Sequence, residues 1–258
     1  MIDAAMTRTP KEAAEGRLNL LVGSDAHTFE QVQPLLSCFA ENINHMGEVG
    51  AGHVHGMGDV EAHAAPPWPA HLPSRDLAIK LAGSGGDGAQ TAALLLTRAA
   101  IAEGYDATDI PSYGPESRGG TSYADVHIAE HEVLNPAAPT PHVLVAFNAP
   151  SLSKFAATVK KGGIILYDST IITAPPLLPA HLRVYPVPFT RIATDLGRPV
   201  VKNVVALGAL QAALQVLPEG SLVATLRHVL HDKPAVLPLN EAAFAAGRDA
   251  LEALLIPA

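Results

Sequence analysis

LAIKLAG (residues 77–83) runs into SGGDG (84–88), then a helix-like segment, Ala89–Glu103, and then PSYGPESRGGT (111–121). The order apolar run, glycine turn, helix is what a buried strand feeding a phosphate-cradling turn requires. Glycines let a backbone approach an anion closely, and the unpaired N–H groups of a first helical turn point toward it. Gly83, Gly85 and Gly88 also satisfy G-x-G-x-x-G, with Asp106 or Asp109 near where a ribose-binding acid would stand. A tight strand-to-helix turn without a ligand satisfies the same pattern. Asp87 adds a conflict, since a carboxylate in the cradle repels a pyrophosphate, although it could cap the helix instead.

The second half of the stretch is a shaped loop. Its glycine-proline turn and Gly119-Gly120 pair exclude a helix or a central strand. The loop carries Ser112, Tyr113, Gly114, Glu116, Arg118 and Thr121 at the expected carboxyl edge of a sheet, where open α/β folds place ligands. Arg118 can grip a phosphate or carboxylate through its planar fork, or pair with Glu116 to fix the loop.

Outward from this stretch, HVLVAFN (142–148) and GGIILYDS (162–169) are further short apolar runs typical of buried parallel strands. Helical spacing marks Ser151–Lys160, Val200–Val216 and Leu239–Leu255. The alternation predicts an open three-layer α/β/α sheet covered on both faces. Asn148, just past the second run, either faces a ligand with its amide or caps the helix at Ser151. Toward the N-terminus, LNLLVG (18–23) alternates as a strand, and Thr28–Asn42 has helical spacing despite Pro34. Between Gly47 and Arg75 the chain is rich in Gly, Pro and His and has no periodic core face, the composition of a linker.

With 258 residues, 48% hydrophobic content and a mean hydropathy of +0.20, the chain can bury a sizeable core. A net charge of −8, with no basic stripe, excludes a nucleic-acid footprint. No apolar run is long enough to span a membrane, and the first residues lack the apolar core of a leader, so a cytoplasmic setting is expected. The single cysteine, Cys38, can neither form an internal disulfide nor hold an iron–sulfur cluster.

Several ordered motifs carry a family resemblance: KLAGSGGDGAQTAALLLTRAAIAEGYDAT, PSYGPESRGGTSYADVHIA, HVLVAFNAPSLSKF, KKGGIILYDS and TRIATDLGRPVVKNVVALGAL. From about Arg75 to Leu255 the chain resembles the gamma subunit of thiamine-diphosphate-dependent 2-oxoacid:acceptor oxidoreductases, the pyruvate, 2-oxoglutarate and ketoisovalerate enzymes among them. The SYGPE-x-RGG loop is the specific motif. Family members usually carry Gln where this chain has Asp87. The resemblance implies a subunit of a hetero-oligomer whose alpha and beta chains, and a ferredoxin-like delta chain, bind thiamine diphosphate and iron–sulfur clusters. The whole enzyme oxidatively decarboxylates a 2-oxoacid to an acyl-coenzyme A and passes electrons to ferredoxin or a similar acceptor. On this reading coenzyme A is the ligand of Gly85, Gly86, Asp87, Gly88, Ser112, Tyr113, Gly114, Glu116, Arg118, Gly119, Gly120 and Asn148.

Residues 1–55 resemble something else, the later part of the dinucleotide-binding domain of 3-hydroxyisobutyrate-type dehydrogenases. That family's fingerprint is absent, Gly56 stands where its catalytic lysine belongs, and Val60 replaces its asparagine. The expected organisation is therefore a partial Rossmann-like fragment (1–55), a linker (56–75) and a gamma domain (76–258). His53 and His55, with His45, Asp59, Glu61, His63 and His71, are metal-ligand types on a segment that organises nothing, so no metal is expected. His127, His131, His142 and His181 stand singly near strand ends, without a catalytic partner motif. A nicotinamide-dependent dehydrogenase and a stand-alone coenzyme A- or nucleotide-binding module remain the alternatives.

Overall fold

The computed structural model describes residues 2–7, 16–47, 65–72, 74–112, 121–133 and 135–255. The chain divides into two compact units, residues 1–61 and 62–258.

In the first unit, β1 (Asp3–Thr7) pairs antiparallel with β2 (Leu18–Gly23), and β2 pairs parallel with β3 (Ala40–Gly47). Helix α1 (Ala26–Leu36) connects β2 to β3 and is capped by Asp25, whose carboxylate accepts the Thr28 N–H at 2.9 Å. The helix expected to reach Asn42 stops at Leu36, and residues 40–42 belong to β3. The helix buries none of its residues. Little apolar burial therefore opposes the backbone bonds that β3 gains on β2. The buried cluster is small: Leu20, Val22 and Ala40, with Leu18, Phe29, Leu36 and Ile43 against them.

The larger unit is built on a six-stranded sheet of order β5-β6-β4-β7-β8-β9. Its strands are β4 (Asp76–Ser84), β5 (Asp106–Ser112), β6 (Thr121–Ala129), β7 (Val143–Ala146), β8 (Ile164–Asp168) and β9 (Arg183–Val187). β4, β7, β8 and β9 are parallel, while β6 runs antiparallel to both β4 and β5. The three apolar runs of the sequence are the parallel β4, β7 and β8. The antiparallel strand between β4 and β5 is an addition to the expected arrangement.

Alternation along each strand loads both faces. Leu77, Ile79, Leu81, Val145 and Leu166 enter one core, while Ala82, Leu144, Ala146 and Ile165 enter the other. The first core is covered by α2 (Ala89–Ala102), α4 (Phe189–Asp195), α5 (Lys202–Leu214), α6 (Ser221–Val229) and α7 (Leu237–Leu255). The second is covered by α3 (Ala149–Phe155) and the 3₁₀ turn that follows it. This is the expected three-layer fold. Helix α5 is buried almost all round and crosses α7 at two glycines. A Cβ at Gly208 would stand 1.9 Å from the Phe244 carbonyl oxygen, and one at Gly247 would stand 1.9 Å from that of Val205.

Residues 65–72, the latter part of the stretch expected to be linker, pack on this unit. Trp68 meets Tyr105 edge-on with ring centroids 5.4 Å apart, the Tyr105 hydroxyl donates to the Pro66 carbonyl, and Trp68 and Leu72 touch the first core.

Candidate functional site

β4 and β7 are parallel neighbours whose chains leave in opposite directions. From β4 the chain passes through α2 to the β5–β6 side of the sheet; from β7 it passes through α3 to the β8–β9 side. Their carboxyl ends therefore flank a topological switch point, the crevice in which open α/β sheets bind ligands. Two sequence-expected elements meet there, the Ser84–Gly88 turn and Asn148.

A closed polar network fixes them. The Asp87 carboxylate accepts the Ser84 N–H at 2.6 Å, the Asn148 amide at 3.0 Å and the Lys202 ammonium at 2.7 Å. The Asp87 N–H returns a bond to the Ser84 carbonyl at 3.0 Å. Asn148 also donates to Ser84 Oγ at 2.8 Å, and its own oxygen accepts the Ser151 N–H at 2.9 Å, capping α3. Asp87 thus neither caps α2 nor stands free in the cradle: it braces the turn from behind. The N-cap of α2 is Gly88, left-handed at φ 82° and without a side-chain cap. Gly86 also has positive φ, 98°, and a Cβ there would meet open space.

On the other side of the turn lies a cavity of about 820 Å³. Gly85, Gly86, Gly88, Gln90, Ser122 and Asn203 contribute to one part of its lining, and neither Asp87 nor Asn148 belongs to it. Gln90 ties α2 to the sheet, donating to the Ser112 carbonyl at 3.3 Å and to Ser122 Oγ at 3.0 Å. Ser112, a sequence-expected ligand residue, ends the edge strand β5 and lends its backbone to this tie. Tyr113, Gly114, Glu116, Arg118, Gly119 and Gly120 lie outside the described residues. Sequence reasoning missed Lys202 and Asn203, which open α5. Their signal was Lys202-Asn203 at a helix start, with an unpaired acid, Asp87, in the glycine turn.

The acids expected for a dinucleotide ribose are placed elsewhere. Asp106 opens β5 at the sheet end away from the turn, where it accepts the Val133 N–H at 2.8 Å. Asp109 is separated from β4 by β6, and burial raises its pKa above the ordinary carboxylate range, against a smaller opposing effect of Arg98.

The described histidines make separate, mostly structural contacts. His142 precedes β7 and accepts the Ala78 N–H at Nδ1, 3.0 Å, while Lys160 Nζ lies 3.0 Å from Nε2. Burial, and then the Lys160 charge, lowers its pKa to about 4. His127 pairs with Asp76 at 2.7 Å. His45 lies 2.7 Å from the Ser24 carbonyl and His71 2.7 Å from that of Leu214. No metal-ligating cluster occurs among the described residues; His53, His55, Asp59, Glu61 and His63 lie outside them. Among the described residues no helix is long and apolar enough to cross a membrane.

The pyruvate ferredoxin/flavodoxin oxidoreductase family model matches residues 78–250. Ketoisovalerate oxidoreductase subunit VorA of Methanothermobacter marburgensis is 40% identical over 176 residues, 68% of this chain and 36% of that relative. The chain thus spans about a third of the length of this curated relative. The keto/oxoacid ferredoxin oxidoreductase gamma subunit of Geobacter sulfurreducens superimposes with a TM-score of 0.59 at 32% identity, covering 69% of this chain and 99% of that one. A stretch of 51 residues, 20% of this chain, is 39% identical to 2-(hydroxymethyl)glutarate dehydrogenase of Eubacterium barkeri, covering 17% of that enzyme.

Proposed function

The chain belongs to the pyruvate ferredoxin/flavodoxin oxidoreductase family, and from that premise we propose that it is the gamma subunit of a thiamine-diphosphate-dependent 2-oxoacid:acceptor oxidoreductase. In this role it works with alpha and beta chains, and with a ferredoxin-like delta chain, in a cytoplasmic complex. Together they convert a 2-oxoacid and coenzyme A to an acyl-coenzyme A and carbon dioxide, and the electrons leave to ferredoxin. The observation that carries this reading is the match to a gamma subunit at 32% identity, over 69% of this chain and 99% of that one. One cysteine in the whole sequence assigns the iron–sulfur clusters, and with them the electron path, to partner chains.

The chain's own part is to cover the active site and to hold coenzyme A. The turn Gly85–Gly88 fits a pyrophosphate: its backbone can be approached without a Cβ, and the carboxylate that would oppose an anion is already paired with Lys202. Arg118 would supply the second cation. The 2-oxoacid is left at class level, because the family description names pyruvate and the VorA relative names ketoisovalerate. Residues 1–55 are read as a dehydrogenase-derived fragment without catalytic function, on the strength of Gly56 and Val60 at the positions of the missing lysine and asparagine.

Affinity purification of the tagged chain from its native extract tests the reading. Thiamine-binding alpha and beta chains should co-elute, and adding the chain to a gamma-depleted preparation should restore 2-oxoacid- and coenzyme A-dependent reduction of a viologen dye. A chain that elutes alone and restores nothing refutes it.

A further inference from the structure

β8 and β9 are parallel neighbours, so the chain between them must travel back from the carboxyl edge of the sheet to the amino edge. Parallel strands usually make that return through a helix, which covers one face of the sheet. Residues 169–182 make it without one. Pro175, Pro176 and Pro179 deny the segment a helical register. The second core is accordingly covered by the seven-residue α3, the 3₁₀ turn after it and this crossing.

The crossing has two sides of different character. Its inner side is anchored, with Ile172 and Leu182 buried in the second core and Leu178 packed against it. Its ends are tied by backbone bonds. The Ile171 and Ile172 N–H groups both reach the Asp168 carbonyl, at 3.2 and 2.9 Å, and the Leu182 N–H donates to the Pro179 carbonyl at 3.0 Å. The outer side is apolar and open. Leu177 is 102% exposed and Ile171 49%, and Thr173, Ala174, Pro175 and Pro176 between them are exposed as well. From Ser169 to Ala180 there is no charged residue, in a chain that is 16% charged. A proline-stiffened segment pinned at both ends holds these side chains out, with much of the conformational entropy of docking already lost. Exposed apolar surface of this kind marks a protein contact.

Two observations name the occupant. In the VorA relative the matched residues are 36% of the chain, so the counterpart of the larger unit is one part of a chain most of which lies outside the match. Ile171 also leaves the carboxyl edge of the sheet, the edge that bears the glycine turn. A chain seated on the crossing therefore reaches the edge at which an active site is to be covered. We propose that the outer side of the 169–182 crossing docks this subunit on the thiamine-diphosphate-binding chain of its complex, with Leu177 entering an apolar pocket there and Ile171 packing at its border. The inference rests on the gamma-subunit reading and adds the surface through which that role is performed. None of these residues lines the cavity beside the glycine turn.

Sedimentation of the tagged full chain with the purified thiamine-diphosphate-binding chain tests it. Leu177→Asp, at a wholly exposed position, should weaken the complex at least about tenfold, and Ile171→Asp should weaken it several-fold. Hydrogen exchange supplies a readout that needs no variant: the backbone N–H groups of Leu177 and Leu178 should exchange more slowly in the complex of the unaltered chain. Parent-like affinity in both variants, or exchange across 169–182 that complex formation leaves unchanged, overturns the inference while the subunit reading stands. An unaltered chain that binds no thiamine-diphosphate-binding chain removes both. Self-association of the chain, or its sedimentation with phosphatidylcholine vesicles, that Leu177→Asp abolishes would give the surface to a second copy or to lipid and would likewise overturn it.

Discussion

The brace between Lys202 and Asp87 spans 115 positions of sequence and joins the glycine turn to the start of α5. Its contribution can be bounded from exposure. Both side chains are mostly withdrawn, 16% and 18% exposed, so the pair lies between surface ion pairs, worth about 0–1 kcal/mol, and buried ones, which cost about 3–5 kcal/mol to break. Lys202→Met should therefore destabilise the larger unit by roughly 2 kcal/mol. Asp87→Asn should cost at least as much, because an amide turned toward Lys202 sets donor against donor. The double variant should cost less than the sum, with a coupling of about 1–2 kcal/mol. In a unit of this size that corresponds to a Tm loss of roughly 4–8 °C for each single variant. Trp68 is the chain's one tryptophan and packs on Tyr105 within the larger unit, so its fluorescence during urea unfolding reads that unit alone. A coupling below about 0.5 kcal/mol would show that the two groups do not act as a pair, and the brace would fall.

Three further outcomes follow from the geometry. Gly208→Ala drives a methyl into the Phe244 carbonyl at the α5–α7 crossing and should cost about 3 kcal/mol or more; a Tm within 2 °C of the parent (roughly 1 kcal/mol) would show that the helices separate freely. Gly86→Ala meets no atom and should cost only the left-handed strain of about 1–2 kcal/mol, whereas Gly88→Ala adds a collision with Asn203 and should cost more, an order that paired urea titrations check directly. His142 is held neutral in the fold down to about pH 4 but takes up a proton in the unfolded chain near its ordinary 6.5. The unfolded state therefore binds more protons in that window. The resulting stability is complete above pH 6.5 and falls by about 2–3 kcal/mol as pH drops toward 4. Urea midpoints for the parent and His142→Asn should diverge at neutral pH and converge near pH 4; parallel curves would contradict the buried neutral imidazole.

The sequence makes the parallel strands legible because they are buried on both faces and read as unbroken apolar runs. It hides β6 for the opposite reason. TSYADVHIA carries Asp125 and His127 into the interior, and each reads as polar until its partner is known. Asp125 pairs with Lys80 on the neighbouring β4, beneath the ring of Tyr123, and His127 pairs with Asp76. Buried polar and charged side chains are tolerated only when they are paired, and no local pattern announces that the partner of Asp125 lies 45 residues away. β9 escaped notice through Pro186, acceptable because β9 is an edge strand. At the site the glycine turn was visible as a turn. Which of its faces carries the side-chain network was not, since that depends on Lys202 and Asn148 arriving from other elements.

That division also resolves the conflict posed by Asp87. An unpaired carboxylate in an anion cradle would oppose its ligand, a problem that a neutral glutamine at this position would avoid. Here the charge is cancelled where it stands: Lys202 meets one carboxylate oxygen, while Ser84 N–H and the Asn148 amide take the other. Gly85, Gly86 and Gly88 line the cavity, while Asp87 is not part of its lining. An acid at position 87 is thus compatible with anion binding only while Lys202 is present. Lys202→Met should accordingly weaken a phosphate ligand as well as the fold, and Asp87→Gln in that background should restore the binding more than the stability.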